Sequence, residues 1–383
     1  MNDSTSSKFI TILLVVAFGH LVAFAYMGTQ AIIGAQGLLL GPAGPIGGDF
    51  VNLLTAAKLL VSGQIEQIYA HEQFMAFQRS IIDAEIGLRL WAYPPHSLFF
   101  IAPFAFLGFF PSLILWSALG VGVLTLAARR FGFSWRETGL VVLSPAVLYC
   151  VILGQTGNLA TALLLLALSS RNGADKLSIG AAALLTIKPQ TGFLLPVIWL
   201  IRRQWRLLIS TGVLVLALII ASLVIFGVES WRAYFFDSAT ILSELEKFGT
   251  GPFMRMVPST FMSLRILGME GSSALNLHAV FAVIVGGVLV WRLMRTQEAD
   301  RQNIILFLGI CLITPYLHHY DLSILVCAAV LMLRQVDSKT RLQRILTYTM
   351  AVFAWGLPHL ILVTNALGLP IAPLGILAMF ALV

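Results

Sequence analysis

Few residues in this chain have chemistry to offer. Asp49 follows Gly47 and Gly48 and precedes Phe50, just past a long apolar segment. A carboxylate there is wet enough to ionise and dry enough to act as a base. It also reads as a loop aspartate that helps turn the chain after the two glycines. Lys188 stands between Ile187 and Pro189 with apolar sequence on both sides. It is either a cation for a phosphate or a lysine snorkelling at a helix end. Gln155 and Asn158 form an i, i+3 polar pair at a helix start; phosphate binding and plain interhelical hydrogen bonding both suit them. Arg255, among Pro252, Phe253 and Met256, suits an anionic lipid head group and is expected to help Lys188 hold the donor's phosphate. Tyr93 precedes Pro94-Pro95, and His318, His319, Tyr320 and Asp321 run consecutively. Adjacent histidines on a helix point different ways and no second ligand pair has suitable spacing, so no metal site is expected. Asp321 also suits capping of the following helix.

The elements that must position these residues are membrane helices. Apolar residues make up 58% of the chain and charged residues 11%, against about half and about a quarter in soluble proteins. A soluble core cannot absorb that excess. The expected fold is all-α, a polytopic bundle of about ten to twelve helices forming one domain over residues 1–383. The net charge of +7, from 24 basic and 17 acidic residues, reads as positively charged cytoplasmic loops rather than nucleic-acid binding. Cys150, Cys311 and Cys327 lie in apolar stretches and read as small core residues.

In chain order, a first span covers about Phe9 to Thr29, retained rather than cleaved as a signal peptide. Gly41-Pro42-Ala43-Gly44-Pro45 breaks any helix. A first external loop, about 30–96, carries a short helix from Phe50 to Val61, interrupted by Asn52 and Lys58. It also carries an amphipathic one from His71 to Glu85, of the kind that lies in the interface plane. Ser97 to Phe110 is short for a span and is expected to be partly inserted or re-entrant. Five basic clusters orient the rest: Arg129-Arg130 with Arg136, Arg171 with Lys176, Arg202-Arg203 with Arg206, Arg292 with Arg295 and Arg301, and Arg334 with Lys339, Arg341 and Arg344. All five are expected in the cytoplasm. The segment from Leu177 to Ile201 must be two short helices meeting at Lys188-Pro189, and non-helical backbone at that depth is tolerated beside a cavity. A second large external loop spans about 228–272. The unusual polar residues then gather at external helix ends.

An external carboxylate with several cations suits transfer of a sugar from a lipid phosphate. The base takes the acceptor's proton, and the cations stabilise the departing phosphate. The chain resembles glycosyltransferase family 87, of the GT-C superfamily, through Gly48-Asp49-Phe50 with Ala56-Ala57 and Tyr93-Pro94-Pro95 with Pro103 and Trp116. The likeness continues in Gly154-Gln155-Thr156-Gly157-Asn158, in Lys188-Pro189 before Arg202-Arg203-Gln204-Trp205-Arg206, and in Thr314-Pro315 before His318-His319-Tyr320-Asp321. The resemblance implies an inverting transfer of a sugar, commonly mannose, from a polyprenyl-phosphate donor to a lipid or glycan acceptor outside a bacterial cytoplasmic membrane. It implies Asp49 as base and places Lys188 and His318 or His319 near donor or acceptor. Many GT-C enzymes carry a second acid directly after the base; here Phe50 follows, so metal independence is expected, and no cofactor. The alternative is a transporter or flippase of a lipid-linked sugar, which would favour inverted repeats and paired broken helices.

Overall fold

The computed structural model describes residues 5–41, 44–170 and 175–383. Arg171, and Pro42 and Ala43 of the helix-breaking stretch, lie outside them. The protein is an all-α polytopic membrane protein. Five helices are long and apolar enough to cross a bilayer: Ser7–Ile33, Phe109–Phe131, Trp205–Phe226, Gly271–Arg295 and Arg341–Ala366. The pair Trp135–Val142 and Pro145–Ile152, bent by 48°, is either a broken sixth span or a re-entrant loop. The break falls at Ser144-Pro145, where proline starts the second helix and cannot continue the first.

Against an expected ten to twelve spans, the described residues hold five such helices, or six with the bent pair, and the other apolar helices are shorter. The long ones are apolar all round yet largely uncovered by protein, the surface a lipid solvent requires. Inside them stand shorter helices, Gly157–Leu168, Ala299–Ile313 and Ser323–Arg334, in which almost every residue is buried. A 12-residue helix rises about 18 Å, well short of a hydrocarbon core of about 30 Å. These inner helices are shorter than the long outer ones and are packed by protein on nearly every side.

One end of the bundle gathers the basic clusters. Arg334 pairs with Glu137 at 2.6 Å and with Asp300 at 3.4 Å. Arg130 meets Asp175 at 3.2 Å, and Arg202 donates to Gln302 and Asn303, both at 2.8 Å. Arg136 donates to Ser7 at 2.7 Å. These contacts stitch together connections that the sequence spreads over more than three hundred positions. Local capping fixes the helices there: Gly132 ends one in the left-handed region, and Ser134 with Glu137 starts the next as a capping box.

The opposite end carries the two large loops. The first holds helices Phe50–Val61 and His71–Ile82, the second stopping at left-handed Asp83 rather than at Glu85. The apolar face of His71–Ile82 is not offered to lipid. Phe74 joins Phe50, Leu54, Leu59, Ile68, Trp91, Leu98 and Phe104 in a second core, so the protein itself covers that face. Asn52, which interrupts the neighbouring helix, accepts from Gln78 at 2.8 Å and donates to Leu90 O at 3.3 Å. Ser97 to Phe110 is neither a span nor a single re-entrant helix. It forms two 3₁₀ turns, Pro95–Phe100 and Ala102–Phe106, before the next long helix. The segment after Leu177 behaves as its proline requires, with helix Lys176–Leu185, a break at Lys188 and a return through Pro189–Gly192 and Leu195–Ile201.

Candidate active site

Two glycine turns interlock beside Asp49. Gly47 and Gly48 have φ of +72° and +52°, which favours glycine, and Gly154 has φ of +58°. A Cβ on Gly48 would lie 2.9 Å from Leu153 Cα, and one on Gly154 would lie 2.5 Å from Gly47 O. This close approach lets Asp49 N donate to Leu153 O at 3.0 Å. Asp49 occupies the position before helix Phe50–Val61 but makes no capping bond, as a purely structural aspartate there would. Its side chain turns aside. Oδ2 accepts from Gln155 Nε2 at 2.6 Å and Oδ1 from Arg89 Nε at 3.0 Å. The carboxylate remains 44% exposed. A carboxylate has about four lone-pair positions, so two donors hold it in place and leave acceptor capacity free.

Gly154-Gln155-Thr156-Gly157-Asn158 is the hub of the site. Gln155 reaches Asp49, and Thr156 Oγ1 lies 2.9 Å from Tyr93 OH. A Cβ on Gly157 would lie 2.5 Å from Tyr320 O and 2.7 Å from Asp321 Oδ1. Trp116 Nε1 donates to Gly154 O at 3.1 Å, and the Cys150 thiol to Gln155 O at 3.1 Å. Asn158 does not join Gln155. It is buried, and its Nδ2 donates to Val147 O at 3.3 Å, the interhelical bonding noted as its alternative.

Lys188 is not a free cation. Its Nζ lies 2.5 Å from Asp321 Oδ1, with the two side chains 10% and 3% exposed. The second Asp321 oxygen accepts from His318 N at 3.3 Å, so Asp321 caps its own turn as well. An ammonium has three N–H groups; one serves Asp321. The Tyr320 ring centre stands 5.5 Å from Nζ, and His318 stacks on Tyr320 at 5.0 Å. His319 is buried against the Tyr149 ring at 4.6 Å. Tyr93 links the two halves. Burial pushes its phenol above the ordinary value; nearby Lys188 pulls it down, and Asp321 and Asp49 push it up.

The structure brings Asp49, Gln155, Tyr93, Lys188, His318, Tyr320 and Asp321, expected at external helix ends, into one connected polar cluster. Arg255 lies apart, in a separate cleft with Arg265 and Asn365. Arg89 was missed. Its signal was the one that marked Lys188, a lone charge among apolar neighbours, here Leu88, Leu90 and Trp91.

The family model of glycosyltransferase family 87 matches residues 91–315, more than half of the chain. No curated protein and no solved structure matches.

Proposed function

The chain belongs to glycosyltransferase family 87, and from that premise we propose a membrane enzyme that moves a sugar, mannose first among candidates, from a polyprenyl-phosphate donor to a lipid or glycan acceptor. The observation that carries this reading is Asp49, a half-open carboxylate gripped at both oxygens, with Tyr93 between it and the buried Lys188–Asp321 pair. Asp49 takes the proton of an acceptor hydroxyl. The acceptor oxygen bonds to the anomeric carbon from the face opposite the phosphate, the carbon–phosphate oxygen bond breaks, and the sugar inverts. The electron pair leaves with the polyprenyl phosphate. The N–H groups of Lys188 not used by Asp321 meet that developing charge. Gln155 and Arg89 orient the base, and Tyr93, Tyr320 and His318 line the space for sugar and head group. The lipid tail stays among the long helices, and the polar cluster faces the exterior of a bacterial cytoplasmic membrane, away from the basic end.

The reaction is metal-independent in this reading, because Phe50, packed edge-on against Phe109 at 5.6 Å, occupies the place of a second acid. The test is initial transfer rate with polyprenyl-phosphate-mannose and a panel of membrane-lipid acceptors, with products identified by mass spectrometry and a chelator present. Asp49→Asn is expected to lose about 10²–10⁴-fold in rate while keeping its thermal stability in detergent. A well-folded Asp49→Asn that transfers within a few-fold of the unaltered protein removes Asp49 from the mechanism, and abolition by chelator removes metal independence.

A further inference from the structure

The cleft that Arg255 lines has the construction of a binding site, and the proposed transfer leaves it unused. It lies where the Pro252–Met256 turn and helix Thr260–Ile266 meet the end of Arg341–Ala366. Its volume is about 410 Å³, within the roughly 300–1,000 Å³ of small-molecule sites. The Arg255 side chain is exposed, and among the described residues no carboxylate pairs with it. Arg265 is fixed by donating to Glu246 O and Gly249 O, both at 2.7 Å.

Asn365 supplies the second observation. It is 6% exposed and lines the cleft. Its Nδ2 stretches to the carbonyls of Met254, Arg255 and Val257 at 3.4–3.5 Å, while its Oδ1 is buried with no partner. An unsatisfied buried acceptor is costly, and a ligand hydroxyl would satisfy it. A guanidinium beside it suits a phosphate.

We propose that this cleft holds the head group of the acceptor, a hydroxyl-bearing phosphate, with the phosphate on Arg255 and a hydroxyl on Asn365. The assignment rests on the transferase reading. The donor's phosphate belongs at Lys188, deep in the bundle with its lipid tail. The cleft instead opens among exposed residues Gly251, Pro252 and Gly368 at the helix ends. Asn365 is six residues beyond His359, which bonds to Tyr149 at 2.8 Å, and Tyr149 packs on buried His319, the neighbour of Tyr320. Six helical residues rise about 9 Å, so the cleft lies less than two helical turns from a side chain that contacts Tyr149.

The test follows melting temperature of the purified full-length protein in detergent during titration with glucose 6-phosphate, glycerol 3-phosphate, inorganic phosphate and glucose. The two hydroxyl-bearing phosphates should stabilise at lower concentration than inorganic phosphate or glucose. Arg255→Gln, and Ala366→Trp filling the cleft from an exposed position, should weaken that binding at least tenfold; Asp49→Asn should leave it unchanged. Three results overturn the proposal: no stabilisation by either organic phosphate, equal stabilisation by inorganic phosphate, or binding that survives Arg255→Gln. Failure of the transferase reading appears elsewhere, as retained transfer in Asp49→Asn, and does not alter these titrations.

Discussion

Lys188 and Asp321 have to be tested together. Removing one member of a buried ion pair strands the other and typically costs about 3–5 kcal/mol, whereas replacing both by apolar groups is often neutral. Lys188→Ala is therefore expected to lower thermal stability as well as transfer. Lys188→Met with Asp321→Leu should recover most of the stability and little of the transfer, and melting curves beside initial rates separate the two effects. A double variant that transfers normally reduces the pair to packing. Arg89 poses a cleaner case, since its partner Asp49 stays half exposed. Arg89→Gln should lower kcat about ten- to a hundredfold by loosening the carboxylate, with KM for donor nearly unchanged. Unchanged kcat would leave Gln155 as the only residue that orients the base. The residue types of the site were legible in the sequence because charges are rare there. Their partners were not, since Asp49 and Gln155 lie 106 positions apart and Lys188 and Asp321 lie 133 apart. No local pattern distinguishes a lysine awaiting a phosphate from one already paired.

Among the elements, the hub before helix Gly157–Leu168 has the least tolerance. Gly157→Ala would drive a methyl into Tyr320 O and Asp321 Oδ1, both within 2.7 Å, so the His318–Asp321 turn must move. Gly180, in helix Lys176–Leu185, meets nothing within 4 Å of a Cβ, and alanine there favours the helix by up to about 1 kcal/mol. Gly157→Ala should therefore lose both melting temperature and transfer, while Gly180→Ala matches or exceeds the unaltered protein in melting temperature; equal behaviour of the two would contradict the close contact at the hub. Element boundaries were legible where polar punctuation exists. Phe50–Val61 and the break at Lys188-Pro189 fall where the sequence puts them. The division into long outer and short inner helices was hidden, because lipid-facing and protein-facing helices are equally apolar. For the same reason the 3₁₀ turns after Pro95 resembled a short span.

At the scale of the whole molecule, the two ends are chemically distinct. The basic clusters meet through Arg334, Arg130 and Arg202, and the polar cluster lies at the other end. Cysteine labelling reads which end faces out. With buried Cys150, Cys311 and Cys327 replaced, an impermeant reagent on intact cells or spheroplasts should reach a cysteine at exposed Glu244 and miss one at exposed Ser338. The reverse pattern would turn the enzyme over in the membrane and exclude an external acceptor.

The depth of the Lys188–Asp321 pair also bears on how the chain is made. Ribosomes add roughly 5–20 residues per second, so about 7–27 seconds separate the emergence of Lys188 from that of the partner lying 133 positions later. For that interval a lone ammonium on a short helical hairpin must avoid the hydrocarbon, where a charge costs about 2.5–3.5 kcal/mol on insertion scales. Helices Lys176–Leu185 and Leu195–Ile201 are also too short to be released into lipid one at a time. The hairpin must wait beside the translocation machinery, or in the shelter of the spans already made, until Ser323–Arg334 arrives to close the inner column. The polar cluster around Lys188 is therefore completed only when the nascent chain has passed Asp321.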